Sequence, residues 1–101
     1  MQRTDIRAVF ARPEDYAQKS VTVGGWVRTI RDSKAIAFLE LNDGSCFRSL
    51  QVILEAGRLP DFVRIAKLPV GSAVVAKGVV ALTPAARQPL ELHATRVTVE
   101  G

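Results

Sequence analysis

Five hydrophobic stretches with a period of two, interrupted once by a helical stretch, predict an all-β protein with short helices. The order is an N-terminal helical segment, three strands, a helix and two strands, and two of the long strands contain glycines that allow a sheet to bend. This combination is typical of a five-stranded OB-fold barrel with a helix between its third and fourth strands. With 101 residues, the chain has the length of a single domain, 1–101.

The N-terminal segment, 5–18, has the pattern of a helical entry. Asp5 stands where an N-cap residue is expected, and the apolar residues that follow it at helical spacing are Ile6, Val9 and Phe10. Pro13 interrupts this pattern and can begin a second short turn, because proline suits the first position of a helix.

The remaining elements follow from the change of period at Val21. We predict strands over 21–31, 35–42, 47–54, 73–82 and 90–99. Between the third and fourth strands, Pro60 opens a helix of about two turns, which ends at Pro69 and Gly71. The apolar stripe of this helix consists of Phe62, Ile65 and Leu68. A loop over 83–89 precedes the last strand.

Alternation along the strands assigns side chains to an inner or an outer face. The residues predicted to face the core are Val21, Val23, Val27, Ala37, Leu39, Leu41, Leu50, Val52 and Leu54. Those predicted to face outward are Ile36, Phe38, Glu40, Asn42, Ser49, Gln51 and Ile53. Gly24-Gly25 and Gly78 predict a bulge or bend, and Asp43-Gly44-Ser45 predicts a hairpin turn.

The charge of the chain is moderately basic. Fourteen Lys and Arg residues against ten Asp and Glu residues give a formal net charge of +4, and ten of the fourteen are arginine. Arginine suits forked contacts with phosphates and bases, so a polyanionic partner is one interpretation. A solvated basic surface is the other.

Several classes of protein and site are excluded by the composition. No apolar run approaches the roughly 20 residues of a membrane helix, and the N-terminus lacks the apolar core of a signal peptide, so we expect no membrane partner. The single Cys46 excludes an internal disulfide and fits a cytoplasmic location. With His93 as the only histidine, we also expect no metal site. Catalysis would have to use Ser45 or Cys46 with His93, and no catalytic residue is predicted.

Phe38 is the most informative candidate, because strand alternation places an aromatic ring on the outer face. A base can stack on an aromatic in this position of an OB barrel, and the amide of Gln51 on the adjacent strand can bond a base edge. Three cations border the same predicted surface, namely Arg28, Arg31 and Lys34. The alternative is that Phe38 packs under the N-terminal helix and Gln51 is simply solvated.

Several stretches together resemble a known family: GGWVRTIRDSKAIAFLELNDGSCF (24–47), LQVIL (50–54), VGSAVVAKGVV (70–80) and QPLELHATRVTVEG (88–101). They are similar to the N-terminal anticodon-binding domain of asparaginyl-tRNA synthetases, in class IIb of the aminoacyl-tRNA synthetases. The G-W-V-R-x-x-R-D opening is shared across class IIb. The segments D-S-K-A and D-G-S-C-F are more particular to the asparaginyl branch.

The resemblance implies roles for individual residues. It implies that Phe38 stacks on the middle anticodon base, a uridine, that Gln51 recognises the same base and that Arg31 contacts the anticodon. Glu91 falls where the family has a glutamate associated with the first anticodon base. Aspartyl relatives have arginines late in strand four that recognise a third-position cytidine; here Ala81 and Thr83 stand there, which argues against the aspartyl branch.

The resemblance also implies a longer parent protein. The parent is expected to be a cytoplasmic, homodimeric asparagine–tRNA ligase that binds tRNA through this domain and ATP and Mg in a catalytic domain absent from these residues. We therefore expect no cofactor in the domain itself. Two alternatives stay open: a free-standing single-stranded nucleic-acid or tRNA-binding OB protein, and a small enzyme that uses Ser45 or Cys46.

Overall fold

The computed structural model describes residues 3–84, 86 and 88–100. Its elements are α1 (Ile6–Ala11), α2 (Pro13–Tyr16), β1 (Ser20–Asp32), β2 (Ile36–Asn42), β3 (Leu50–Glu55), α3 (Phe62–Ala66), β4 (Ala73–Leu82) and β5 (Leu90–Val99). The predicted order of elements is confirmed. Positions 85 and 87 of the predicted loop, like the termini of the predicted domain 1–101, lie outside the described residues.

The five strands form a closed barrel in the order β1-β2-β3-β5-β4. β1 closes it, because residues 20–26 pair with β4 and residues 26–32 pair with β2. β3 and β5 pair in parallel, through Val52 opposite Leu92, whereas the other strand pairs in the described part of the chain are antiparallel. The predicted five-stranded OB-fold barrel with a helix between β3 and β4 is therefore confirmed.

The bend in β1 is where the strand leaves β4 and joins β2. Here Gly25 approaches the neighbouring chain so closely that a Cβ atom would lie 2.3 Å from the carbonyl oxygen of Asn42. Of the predicted bulge or bend at Gly24-Gly25, the bend is present, but neither glycine is a bulge, because both pair in regular register with β4. The register shifts instead between Val27 and Thr29, which makes Arg28 the bulged residue. At Gly78, the other predicted position, the register of β4 with β5 shifts between Lys77 and Gly78.

The inner faces of the strands form the core as predicted. The nine residues predicted to face inward are all buried, and the helices add Ile6, Val9, Phe62, Ile65 and Ala66 to the same cluster. Three residues predicted to face solvent are also buried: Asn42, Ser49 and Ile53 are 5%, 9% and 6% exposed. Alternation gives the side of the sheet correctly but cannot show which outer positions other segments cover.

β3 begins at Leu50 rather than at residue 47. The Asn42 side-chain amide explains the difference, since its Nδ2 donates to the carbonyl oxygens of Cys46 at 3.5 Å and Arg48 at 3.2 Å. These carbonyls therefore bond to a side chain instead of a neighbouring strand. Gly44 in this connection has φ 81°, the left-handed conformation that the predicted Asp-Gly turn requires.

The start of α1 is bound by the β2–β3 connection. Asp5 occupies the N-cap position, but it makes no side-chain cap bond to the helix within the described part of the chain. Instead, the Ile6 N–H donates to Asp43 Oδ2 at 2.9 Å and the Arg7 N–H donates to Ser45 Oγ at 3.0 Å. The Ser45 hydroxyl in turn donates to Asp43 Oδ1 at 2.6 Å.

The same contacts determine the ionisation of Asp43. Burial acts to raise the pKa of its carboxyl, but hydrogen bonds from the Ser45 hydroxyl and from the N–H groups of Ile6 and Ser45 together hold that pKa below its ordinary value. A group whose pKa is lowered by folding stabilises the folded state at pH values above its unfolded-state pKa. This stabilisation is lost as the pH falls through the folded-state pKa.

Replacing Asp43 should therefore destabilise the domain in a pH-dependent way. We expect Asp43→Ala to lower the free energy of unfolding by roughly 0.5–2 kcal/mol at neutral pH, the usual cost of a lost helix cap. The difference from wild type should shrink as the pH falls below about 4, where the carboxyl is protonated in the unfolded chain. Urea unfolding followed by circular dichroism at several pH values measures both effects.

Asp61→Ala provides the matched control, because Asp61 makes an exposed ion pair with Arg64 at 3.4 Å. Such a pair contributes about 0–1 kcal/mol. If both substitutions lower the free energy of unfolding equally and at every pH, Asp43 does not hold α1 to the barrel.

Candidate nucleic-acid interface

Side chains that point away from the barrel on β1, β2 and β3 form a surface that we call the outer face. Strand register arranges them in rows. One row contains Arg31, Phe38 and Ile53, which lie opposite one another on the three strands. The next row contains Thr29, Glu40 and Gln51. Two residues along each strand separate the rows, so Phe38 and Gln51 are diagonal neighbours, as the sequence predicts.

Phe38 presents a partly exposed ring. The residue is 36% exposed, and the guanidinium carbon of Arg31 lies 5.9 Å from the ring centroid. Its partner on β3, Ile53, is buried although it belongs to the outer face. The alternative in which the N-terminal helix covers Phe38 is wrong, because the ring stays accessible. A flat aromatic surface with a cation beside it can accept a stacked nucleobase.

Arg31 also lines a cleft of about 170 Å³. It brings together three of the predicted site residues, Arg31, Gln51 and Glu91, and Glu40 also contributes to its wall. Glu40 accepts a hydrogen bond of 2.5 Å from the Thr29 hydroxyl. The cleft therefore offers a cation, carboxylates and an amide within one small volume, a mixed set of donors and acceptors suited to a base edge.

The β4–β5 loop forms the opposite wall of the cleft through Thr83 and Gln88. The Gln88 side-chain amide donates to the main-chain carbonyl oxygen of Ser49 at 3.0 Å. The Thr83 hydroxyl donates to the main-chain carbonyl oxygen of Gln88 at 2.8 Å. These bonds hold the loop against the start of β3. The sequence analysis missed both residues, because their position depends on contacts between distant segments.

Glu91 is paired within its own strand. Its Oε2 lies 2.6 Å from His93 Nε2, and His93 Nδ1 lies 3.6 Å from Glu55 Oε1 on β3. The imidazole carries a charge only when it is protonated. From the sequence, His93 enters only as a partner for Ser45 or Cys46 and as the lone histidine for a metal site. Residues two apart on a strand share a face, a signal that could have linked His93 to Glu91.

The hypothetical catalytic group is not assembled. Ser45 bonds to Asp43 and to the backbone of α1, whereas His93 contacts Glu55 and Glu91 on the outer face. Ser45 therefore has a structural role at the helix start.

The three predicted cations are not clustered. Arg31 lines the cleft, but Arg28 projects from the bulge into a separate cavity of about 400 Å³ beside Phe47. Lys34 is exposed in the turn between β1 and β2. The three predicted cations therefore lie at separate places, in the bulge, at the cleft and in the turn after β1.

Comparisons with known proteins agree with this architecture. Residues 21–100 match the family described as OB-fold nucleic acid binding domain. The chain is 50% identical over 101 residues to an asparagine–tRNA ligase of Acetivibrio thermocellus and 46% identical over 101 residues to one of Clostridium botulinum. Each match covers 100% of this chain and 22% of the relative, so the chain spans about a fifth of their length.

A solved structure shows the same fold. The asparaginyl-tRNA synthetase of Pyrococcus horikoshii, complexed with asparaginyl-adenylate, superimposes with a TM-score of 0.85 at 24% sequence identity. The superposition covers 98% of this chain and 22% of that chain.

Proposed function

The chain belongs to the family of OB-fold nucleic acid binding domains, and from this premise we propose that it binds the anticodon loop of tRNA as part of an asparagine–tRNA ligase. The resemblance seen in the sequence is confirmed by the relatives, which are asparagine–tRNA ligases. One observation carries the proposal beyond the family. Arg31, which lines the cleft together with Gln51 and Glu91, lies 5.9 Å from the ring of Phe38, and in this proposal one unpaired base stacks on that ring and is hydrogen-bonded by groups of the cleft.

Recognition of the middle anticodon base begins with stacking on Phe38. Unpaired loop bases are splayed from the RNA and accessible to aromatic side chains, and each stack contributes roughly 1–3 kcal/mol. Stacking alone does not distinguish among bases. In this proposal Phe38 supplies affinity and Arg31, 5.9 Å from the ring, adds a cation at the base or its phosphate.

Gln51 determines the specificity for the base. A uridine edge carries carbonyl acceptors beside an N–H donor, and a side-chain amide has both a donor and an acceptor to match them. A cytidine places an amino donor where uridine has a carbonyl. One polar group in the cleft would then lose its partner, which costs about 1–3 kcal/mol. Glu91 is proposed to contact the first anticodon base from the other side of the cleft.

The rest of the activity belongs to the longer parent protein. We place the binding of ATP and Mg in a catalytic domain outside this chain, and we propose a homodimeric, cytoplasmic parent. In residues 3–84, 86 and 88–100, no three His, Cys, Asp or Glu side chains are grouped so that they could hold a metal ion. Among the helices described, none is long and apolar enough to cross a membrane.

Phe38→Ala should weaken RNA binding without unfolding the domain. The residue is 36% exposed, so its loss should lower the melting temperature less than the truncation of a core phenylalanine would. The loss of one stack should cost roughly 1–3 kcal/mol of binding free energy. Fluorescence anisotropy with the asparagine tRNA anticodon stem-loop, together with thermal melting, measures both quantities.

Val63→Ala is the control for Phe38→Ala, because Val63 is an exposed apolar residue on α3, at 67% exposure. It should leave binding unchanged. A Phe38→Ala protein that melts far below wild type but binds RNA normally while folded would make Phe38 a core residue.

Gln51→Ala should reduce the discrimination between bases. Wild type should bind a stem-loop with a middle uridine more tightly than one with a middle cytidine, by on the order of 1–3 kcal/mol. The variant lacks the amide, so we expect weaker binding of the uridine loop and a smaller difference between the two loops. Paired titrations of both loops measure the difference directly.

Two other outcomes for Gln51→Ala would contradict its proposed role in base recognition. Equal losses for both loops would make Gln51 a scaffold residue, and full wild-type discrimination would remove it from base recognition. A wild-type domain that binds every loop alike would instead fit a nucleic-acid-binding protein without anticodon specificity.

Lys34→Ala should weaken all RNAs alike, because we propose that Lys34 neutralises a phosphate. Loss of one phosphate contact reduces the slope of log affinity against log salt by about 1. Lys77→Ala is the control, since Lys77 is exposed on β4 away from the outer face. We expect the slope of log affinity against log salt to be steeper for the Lys77 variant than for the Lys34 variant. A Lys34 variant with an unaltered slope but a changed base preference would assign Lys34 to base recognition.

A further inference from the structure

Phe47 is a fully exposed aromatic residue in the connection between β2 and β3. Its relative exposure is 102%, whereas Phe62 is 7% exposed and Phe10 packs against the core. A phenyl ring completely in water lacks the favourable free energy that burial of an apolar side chain provides. A partner molecule that covers the ring would recover this free energy.

The ring is held on an ordered segment. Besides its bonds to the carbonyls of Cys46 and Arg48, the Asn42 amide lies 3.3 Å from the Ser49 hydroxyl. The Gly44 N–H donates to Asn42 Oδ1 at 2.8 Å. These bonds fix the backbone on both sides of Phe47, so a ligand that covers the ring need not order the segment first.

The position of Phe47 continues the outer face. Asn42 follows Glu40 by two residues on β2, and Ser49 precedes Gln51 by two residues, so this pair forms the next row beyond the cleft. Two residues along a strand rise by about 6.6 Å, so this row lies about 13 Å from the row of Phe38. Bases bound at these two rows would therefore be unstacked from each other, as in single-stranded loops that proteins recognise.

The chemistry of the adjoining cavity favours an anionic ligand. The cavity of about 400 Å³ is lined by Arg28, Asn42, Gly44, Ser45, Cys46 and Phe47, so the guanidinium of Arg28 is the charged group among its lining residues. The first cleft differs, because Glu40 and Glu91 share its wall with Arg31. An aromatic ring beside an arginine matches a base joined to a phosphate.

We infer that Phe47 and Arg28 form a second nucleotide subsite, in which Phe47 stacks on an unpaired base next to the one bound by Phe38 and Gln51. Arg28 neutralises the phosphate of that nucleotide. The inference rests on the proposed function, and it names a further specificity region for the same RNA. The occupant is single-stranded RNA, because the subsite is continuous with the outer face and carries a positive charge.

The experiment uses this chain and an anticodon stem-loop with 2-aminopurine at each loop position beside the middle base. We expect quenching at one flanking position in wild type and its loss in Phe47→Ala, with affinity lower on the order of tenfold. Phe47→Trp should retain stacking, whereas Phe47→Leu should behave like Phe47→Ala. All three variants should melt like wild type, because the ring makes no contribution to the core.

An abasic nucleotide at the quenched position provides the second arm. If Phe47 stacks on that base, Phe47→Ala should have no further effect on binding of the abasic loop. The subsite is overturned if Phe47→Ala and Phe47→Leu bind every loop like wild type while Phe38→Ala weakens binding. The proposed function would remain supported in that case.

Two further outcomes also overturn the subsite. A wild-type protein that binds no stem-loop would reject the proposed function as well. A change of oligomeric state in Phe47→Ala, measured by sedimentation and without an effect on RNA binding, would make this ring part of a protein interface.

Discussion

The structure depends on the close contact between Gly25 and the carbonyl of Asn42. A side chain at residue 25 would collide with that oxygen at 2.3 Å, so a glycine is needed where β1 turns from β4 to β2. The turn closes the barrel and directs the second half of β1 along β2, which places Arg31 beside Phe38. Asn42 also holds the segment that carries Phe47. Asn42 thus takes part in both features: its main-chain carbonyl lies against the bend of β1, and its side-chain amide holds the β2–β3 connection.

The charged side chains of the outer face are unevenly distributed. Its cations lie at different places: Arg31 at the cleft, Arg28 at the bulge and Lys34 in the β1–β2 turn. Glu40 and Glu91 share the cleft with Arg31, so nonspecific attraction of phosphates is weaker there than at the edges. This distribution fits a division in which cations at the edges position the RNA and the cleft distinguishes bases.

Period-two alternation is sufficient to predict the succession of strands along the chain, the inner core and the outward placement of Phe38 and Gln51. It failed where tertiary contacts decide the outcome. Ile53 and Ser49 occupy outer positions yet are buried, and the bulge in the pairing of β1 with β2 lies at Arg28 rather than at a glycine. The cap of α1 comes from Asp43, 37 residues away in sequence. Contacts over such separations leave no local pattern in the sequence.

The most direct test of the central claim is nuclear magnetic resonance of the isotopically labelled domain, titrated with the asparagine tRNA anticodon stem-loop. Amide shifts should change along β1, β2 and β3, around Phe38 and Gln51, and in the β2–β3 connection. The groove between α3 and β5, lined by Arg64 and Arg96 among others, should stay unchanged. Shifts confined to that groove, with the outer face unaffected, would contradict the assignment of the outer face as the RNA-binding surface.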